Sequence, residues 1–334
     1  MQPPFKGMPE MKISRRSAMG GLAASFAAGP ALPARAQQGW PDKSLRIMVG
    51  TAPGGSPDII SRMLGDKMAQ KLGQSVYIEN NAGGGGAVAL QTVTRSPPDG
   101  TNLTMMTAGY STGVAVQKFT YDPKNSFSFV SMVCAYPMVY SVAAHSPIKS
   151  FADLLVRAKA NPGKISYVIT SAGSVYHLVG KWVDMAAGTD MLPVSYRGTA
   201  AGVADVLADR VEVMLDTATS SFPRIHSGQF RVLAVTSPER YSLMPDAPTV
   251  AEHLPGVQYM SWLGLAAPPH TPRPIIDRLN AETRRALELP DVKAKLNEGG
   301  NIPTPTSPEE MTKQIEDEIA NWKRIVEANN IKVE

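Results

Sequence analysis

The stretch that decides the fold of this chain runs from Arg46 to Asp58 and reads Arg-Ile-Met-Val-Gly-Thr-Ala-Pro-Gly-Gly-Ser-Pro-Asp. The apolar segment Leu45–Val49 is typical of a short strand, and the glycines after it predict a tight turn. Ser56 is predicted to cap a helix that has Pro57 at its first position and an acid in its first turn. A strand, a glycine turn and a helix start together direct backbone N–H groups at an anion. The Gly-Lys-Ser/Thr ending of a nucleotide P-loop is absent, so the segment does not indicate a nucleoside triphosphate.

Strand-like and helix-like segments alternate along the rest of the chain, which predicts an α/β fold with mostly parallel sheets. The predicted strands cover 45–49, 75–79, 103–107, 138–143, 165–169, 193–196, 211–215, 232–235 and 257–266. The predicted helices cover 57–72, 87–95, 151–160, 175–185, 200–208 and 274–287, and a last helix opens with the capping sequence Ser307-Pro308-Glu309-Glu310. Two crossings between two lobes, near 132–138 and 258–264, predict a hinge around a cleft.

The first 36 residues are interpreted as an export signal and are set aside from the fold. Three basic residues precede a weakly apolar run, and Ala34-Arg35-Ala36 fits a small-x-small cleavage site. The sequence Ser14-Arg15-Arg16 indicates the twin-arginine route, but the apolar residue that usually follows the pair is missing, so the general secretory route stays open. The start of translation is open between Met1 and Met11. A periplasmic protein is expected.

Removal of this signal changes the charge balance of the chain. The whole chain has 33 basic and 29 acidic residues, whereas the 298 residues after the signal have 28 of each. A nucleic-acid-binding protein carries a basic patch, and the neutral mature chain has no run of Lys or Arg, so no nucleic-acid partner is expected. A chain of this length usually divides into two lobes or domains. The single cysteine, Cys134, lies in an apolar run, which favours a buried structural thiol.

Glycines accompany the predicted helix starts at Ser56, Ser174 and Thr199. Ordinary helix capping explains any one of these starts. Glycines at 54–55, 83–86, 173 and 198 also remove side chains where backbone approaches another group closely. If both lobes supply such helix starts, the cleft is an anion site that needs no Lys or Arg. Both interpretations remain open at this point.

A dinucleotide site is the alternative from another functional class. Gly84-Gly85-Gly86-Ala87-Val88-Ala89 fits the form G-x-G-x-x-A after a strand. The acid expected after the next strand is replaced by Thr107-Ala108-Gly109-Tyr110. An exported dinucleotide-dependent oxidoreductase therefore stays as an alternative. Hydrolase elbows and spaced metal ligands are absent from the sequence, so no catalytic residue, metal or cofactor is predicted.

Two titratable residues are expected near the predicted cleft. His177 lies in the first turn after Ser174, where a neutral imidazole can donate a hydrogen bond to a ligand or to a neighbouring loop. Asp216 follows the predicted strand 211–215 and should lie at the cleft mouth. Because a carboxylate there repels an anion, Asp216 is expected to hold a loop N–H, a water or a ligand ammonium group.

These features together resemble the substrate-binding proteins of tripartite tricarboxylate transporters, the Bug family. The resemblance covers the mature chain from Trp40 to Trp322, and the order and spacing of its motifs make it specific. The motifs are Ala52-Pro53-Gly54-Gly55-Ser56-Pro57-Asp58, Glu79-Asn80 with Gly83–Gly86, Pro98-Asp99-Gly100, Tyr121-Asp122-Pro123, Ser171-Ala172-Gly173-Ser174 with His177-Leu178, Tyr196-Arg197-Gly198, Leu233-Ala234-Val235-Thr236, Asp246-Ala247-Pro248-Thr249-Val250 and Ser261-Trp262.

The resemblance implies a two-lobed, type II-like periplasmic binding protein that closes on a small carboxylate without catalysis. Its parts are an export signal over 1–36, lobe 1 over 38–137 and 259–334, and lobe 2 over 138–258. It implies that the ligand passes to membrane subunits of a tripartite tricarboxylate transporter, and we expect a monomer. A solute sensor that docks to a signalling receptor would share the ligand site and is a second alternative.

The resemblance also implies a set of ligand contacts. The loop 52–58 would hold one carboxylate through backbone groups and ordered waters, while 173–177 and 196–198 meet the other end of the ligand. Tyr110 and Tyr176 depart from the family pattern by their bulk and favour an aromatic or longer acid. The predicted ligand-binding residues are Ala52, Pro53, Gly54, Gly55, Ser56, Asp58, Thr107, Tyr110, Ser171, Gly173, Ser174, His177, Tyr196, Arg197, Gly198 and Asp216.

Overall fold

The computed structural model describes residues 39–116 and 125–331, and Pro41–Glu334 form one compact unit. The predicted signal and the Tyr121-Asp122-Pro123 motif lie outside the described residues. The strands are β1 (Leu45–Val49), β2 (Val76–Asn80), β3 (Asn102–Thr107), β4 (Ser128–Ala143), β5 (Ser166–Ile169), β6 (Leu192–Ser195), β7 (Met214–Thr217), β8 (Phe230–Val235), β9 (Met260–Ala267) and β10 (Ile302–Pro303). The helices are α1 (Ser56–Leu72), α2 (Ala87–Thr94), α3 (Gly109–Val116), α4 (Phe151–Ala160), α5 (Val175–Ala187), α6 (Thr199–Leu207), α7 (Ala218–His226), α8 (Arg273–Glu288), α9 (Pro290–Glu298) and α10 (Pro308–Ala328).

The main sheet is mixed. Over the described ranges it has the order β10-β4-β9-β3-β1-β2, with β7 and β8 also paired to β4, while β5 and β6 form a separate parallel pair. Strand β1 runs parallel to β2 and β3, but β9 enters antiparallel between β3 and β4. The α/β class is confirmed. The sheets are mixed rather than mostly parallel, because the strands at the two predicted crossings run antiparallel to their neighbours.

Strand β4 is a single strand of 16 residues, where the sequence predicted a separate strand only over 138–143. Its residues up to Pro137 pair with β9 and β10, and those from Met138 onward pair with β7 and β8. The change of partners falls where the first crossing was predicted. The lobe boundaries at 137/138 and 258/259 stay a prediction.

The four consecutive glycines have a packing role at the end of β1. Gly83–Gly86 form a 3-10 turn before α2, and Gly86 has a φ of +96°. A Cβ on Gly86 would lie 2.9 Å from the carbonyl oxygen of Gly50, and a Cβ on Gly50 would lie 2.9 Å from Cα of Gly86. Only glycine allows this backbone contact. It fixes the end of β1, where the 51–55 turn begins.

One apolar core extends through both predicted lobes and includes Tyr140, Phe151, Trp262 and Trp322. Helix α10 begins with the predicted capping box of Ser307 and Glu310, and it packs against α3, β4 and α5. Cys134 is fully buried, and burial raises the pKa of its thiol to about 12, which agrees with a structural thiol. Within 39–116 and 125–331, no helix combines the length and apolarity that crossing a membrane needs.

Candidate functional site

Strand ends from both predicted lobes meet near the middle of β4. Thr107, at the end of β3, pairs with Leu263 of β9, and β9 in turn pairs Met260 with Pro137 of β4. On the other side of that point, Met138 pairs with Thr217 at the end of β7. Ligands of α/β proteins bind at the carboxyl ends of such strands. The middle of β4 is therefore the place to look for a site.

The loop after β1 is held by its own acid, Asp58, which is 3% exposed. The Asp58 carboxylate accepts a hydrogen bond of 2.9 Å from the Gly54 N–H and contacts Arg62 at 2.8 Å. The Arg62 hydrogen bonds lower the pKa of Asp58, despite burial, so the carboxylate is ionised. Asp58 thus shapes the turn at Gly54.

The N-cap of α1 is Gly55, with φ −76° and ψ 163°, and no side chain caps the helix. Ser56 is the first helical residue, so its predicted capping role is wrong. The nearby N–H of Gly54 is already bonded to Asp58. The first turn of α1 therefore presents backbone groups and little side chain. Asn80, at the end of β2, donates to the Thr51 carbonyl at 3.1 Å and steadies the same loop.

After β3, the side chain of Tyr110 packs into the core, whereas the sequence analysis predicted that it contacts the ligand. Tyr110 is 6% exposed, and its ring packs edge-on against Phe127 and Phe129 at centroid distances of 5.7 and 6.4 Å. Because α3 begins at Gly109, the helix turns Tyr110 towards the core. Thr107, by contrast, is half-buried at the strand end.

The start of α5 matches its prediction. Ser174 is the N-cap, and its Oγ accepts from the His177 N–H and donates to the Ser171 carbonyl at 2.7 Å. The N–H of Gly173, which has a φ of +75°, donates to Nδ1 of His177 at 3.0 Å. The neutral ring therefore carries its proton on Nε2. Burial, and then Lys181, lower the pKa of His177, so this neutral form is favoured.

The start of α6 follows Tyr196-Arg197-Gly198. Gly198 is the N-cap, with a φ of +92°, and Thr199 is the first helical residue, so the predicted Thr199 cap is wrong. The Tyr196 phenol donates to Asp205 at 2.5 Å, while the Arg197 side chain is exposed.

Asp216 is a buried carboxylate at the end of β7, with 1% exposure. Its Oδ1 accepts from the Thr217 N–H at 2.8 Å. Of the partners expected from the sequence, a loop N–H is thus present. Burial raises the pKa of Asp216 to about 6. The Asp216 charge also contributes, after burial, to the raised pKa values of Tyr136 and Tyr176.

Tyr136 is a residue that the sequence analysis missed. Inside β4 it alone is half-buried between fully buried neighbours, at the point where the strand changes partners. It pairs in register with Ser261 of β9. Mainly because of burial, its pKa is raised to about 12, so the phenol remains a donor at neutral pH. The Tyr136-Pro137 pair inside an apolar run was the available signal.

A comparison with known protein families identifies the family of this chain. The model described as tripartite tricarboxylate transporter family receptor matches residues 60–331. The chain belongs to this receptor family. A relative named "UPF0065 protein in tcbD-tcbE intergenic region", from a Pseudomonas species, is 33% identical over 323 residues, which cover 94% of each chain.

Solved structures of other receptors share the fold. Rpa4515 of R. palustris, with adipate, is 31% identical at a TM-score of 0.78, over 88% of this chain and 99% of that one. The periplasmic binding protein BugD is 30% identical, with a TM-score of 0.75 over 88% of this chain and 99% of that one. MatC from Rhodopseudomonas palustris, with bound malate, is 28% identical, with a TM-score of 0.74 over 86% of this chain and 99% of that one. The two-lobed architecture and the Bug-type resemblance are confirmed.

The receptor family narrows the alternatives. It consists of solute-binding receptors that work in the periplasm and not of enzymes. A dinucleotide-dependent oxidoreductase is not favoured, and the contact of Gly86 with Gly50 accounts for the glycine run. In the described part of the receptor, no cluster of three or more His, Cys, Asp or Glu could hold a metal ion.

Proposed function

We propose that this chain binds a small organic carboxylate in the periplasm and delivers it to the membrane subunits of a tripartite tricarboxylate transporter. One observation carries the proposal: α1, α5 and α6 each begin shortly after a strand, behind a glycine in the left-handed region. These glycines are Gly54 (+84°), Gly173 (+75°) and Gly198 (+92°). The first N–H groups of a helix have no partner inside the helix, and the helix dipole favours an anion there.

Most of the donors around these helix starts are neutral, and Arg197 is the one cation among the ligand contacts assigned below. Arg62 is paired with Asp58, so it offers no free cation to the ligand. His177 offers an Nε2–H, and the raised pKa values of Tyr136 and Tyr176 keep both phenols protonated. A dicarboxylate such as the adipate or malate of the related receptors has two ends for helix starts on two lobes.

The ligand contacts divide by lobe. In lobe 1 we assign them to the backbone of 52–56 and to Thr107, with Asp58 shaping the turn and Tyr110 supporting the segment from the core. In lobe 2 we assign them to Ser171, Gly173, Ser174, His177, Tyr196, Arg197 and Gly198, with Asp216 beneath them. Hinge closure between the lobes would enclose the ligand. We infer a monomeric receptor without catalysis or cofactor, exported by its N-terminal signal.

A thermal-shift screen tests the proposal on the chain from residue 37 onward. A ligand that binds only the folded state stabilises it by about 2.7 kcal/mol at a concentration of 100 Kd. We expect mono-, di- or tricarboxylates to raise the melting temperature and sugars or metal cations to have no effect. A response to sugars alone, or tightly bound NAD(P) absorbance in the purified protein, would contradict the proposal.

A matched pair of glycine variants tests the loop. A Cβ on Gly55 would lie 3.6 Å from the Ala52 carbonyl oxygen, an ordinary contact, so Gly55→Ala should fold. If the ligand approaches this backbone, affinity in calorimetry falls about tenfold or more, which is about 1.4 kcal/mol. Gly39→Ala, where nothing lies within 4 Å of the added Cβ, is the control and should keep its affinity. Equal affinity of both variants would remove the loop from the site.

A further inference from the structure

Glu318, in the middle of α10, is held by neutral donors from three elements. Its Oε2 accepts from Nε1 of Trp262 at 2.6 Å and from Oγ of Ser111 at 3.2 Å, and its Oε1 accepts from Nε1 of Trp322 at 3.0 Å. Among the described residues, no ion pair involves Glu318. Such a carboxylate adds less stability than apolar packing would, but it fixes the directions of its donors.

Two of these donors support the segment of lobe 1 that carries Thr107. Ser111 is fully buried in the first turn of α3, directly after the Thr107–Tyr110 segment. Trp262 is 1% exposed on β9, and its carbonyl accepts from the Ala108 N–H at 3.1 Å. Glu318 therefore holds both the side-chain and the backbone supports of the segment that carries Thr107.

The third donor connects to lobe 2. The ring of Trp322 meets Trp182 of α5 edge-on, with centroids 5.8 Å apart and planes at 88°. It also meets Tyr259, next to the second predicted crossing, at 5.1 Å. Helix α5 begins at the Ser174 and His177 loop. Three of the four tryptophans of the chain thus join the two predicted halves of the ligand site through α10.

We propose that Glu318 is a positioning residue for the ligand segment after β3, and that the Trp322–Trp182 contact extends its effect to the start of α5. Helix α10 then couples the lobe 1 part of the ligand site to the lobe 2 part. The inference rests on the proposed function for its biological meaning, but the coupling itself can be measured without ligand.

Amide hydrogen exchange of the ligand-free mature protein is the test. Glu318→Gln replaces one acceptor oxygen with a donor that faces an N–H or O–H group. We expect exchange to accelerate about tenfold or more in peptides covering 107–116 and 175–182, since a buried donor that loses its acceptor costs more than an ordinary hydrogen bond contributes. Peptides from α4 should be unchanged. Acceleration spread equally over the chain, or confined to α10, would overturn the proposal.

Three further variants separate positioning from general destabilisation. Glu282→Gln is the matched control, because Glu282 is 7% exposed but pairs with Arg285 on α8, away from this network. It should leave 107–116 unchanged. Ser111→Ala is the milder variant if Glu318→Gln does not fold, and it should accelerate 107–116. Trp182→Phe should accelerate 175–182 with Glu318 intact, and no change there would refute the link to α5.

Calorimetry with adipate and with malate completes the test. If wild type binds either one, Glu318→Gln should weaken that binding about tenfold, and Glu282→Gln should not. Unchanged affinity in Glu318→Gln would refute the positioning role. If wild type binds no carboxylate of the thermal-shift panel, the proposed function fails, while the exchange data still decide the coupling.

Discussion

Replacing Asp216 with asparagine removes a carboxylate that is 1% exposed and has no ion-pair partner within the described ranges. Burial raises its pKa from 3.8 to about 6. Between these values the folded state binds more protons than the unfolded state. Stability from this group is therefore fully present below about pH 4 and is lost as the pH rises towards 6.

The size of this effect follows from the two pKa values. Each pKa unit corresponds to about 1.4 kcal/mol, so the Asp216 contribution to the free energy of unfolding totals about 3 kcal/mol, of which about 2.4 kcal/mol is lost between pH 4 and pH 7. The Asp216→Asn variant lacks this contribution. Its amide oxygen can still accept from the Thr217 N–H, so the turn into α7 is kept.

The assay is urea unfolding of both proteins, without ligand, at intervals from pH 4 to pH 7.5. The variant should gain stability relative to wild type by about 2.4 kcal/mol across this range. Contributions of other buried acids cancel in the difference, because they are common to both proteins. Asp246→Asn, at an exposed position, is the control. A flat difference between Asp216→Asn and wild type would refute the reasoning.

Three other outcomes are expected. Ser174→Ala and Ser150→Ala each remove an N-cap hydroxyl and should cost about 1 kcal/mol in urea unfolding, but only Ser174→Ala should also weaken carboxylate binding in calorimetry. Equal affinities would place the Ser174 turn outside the site. Protonation of His177 removes the acceptor for the Gly173 N–H, and its pKa is lowered, so its contribution to stability should fall as the pH drops below about 6.5. A His177→Asn variant should lack that pH dependence, and identical pH profiles would contradict it. Cys134 should not react with a thiol reagent until urea unfolds the protein, because it is fully buried with a raised pKa, and rapid labelling of the folded protein would contradict this.

Short-range signals in the sequence were enough to predict the position of many helices and strands. The apolar segment Leu45–Val49 and the helical pattern over 151–160 predicted β1 and α4 with the bounds that the structure has. The capping box at Ser307 likewise marked the start of α10. These signals are short-range, because capping hydrogen bonds and apolar periodicity involve residues a few positions apart.

The remaining features depend on contacts between distant segments. Ser56 looked like a cap, but Asp58 binds the Gly54 N–H and Gly55 takes the cap position. The sequence predicted Tyr110 as a ligand contact, but Tyr110 lies in α3 and its ring packs against Phe127. No short-range pattern in the sequence shows which residue inside β4 is partly exposed, so the sequence analysis missed Tyr136.

The position of β9 has a consequence for the order in which the chain folds. Thr107 of β3 pairs with Leu263, so the N-terminal strands lack their neighbour until that residue has been synthesised. Strands β7 and β8 pair with the 138–143 part of β4 much earlier during synthesis. Until β9 arrives, β3 is an unpaired edge, which favours association with other chains. Truncation just before β9 should therefore leave β3 without this neighbour, while β7 and β8 keep their pairing with β4.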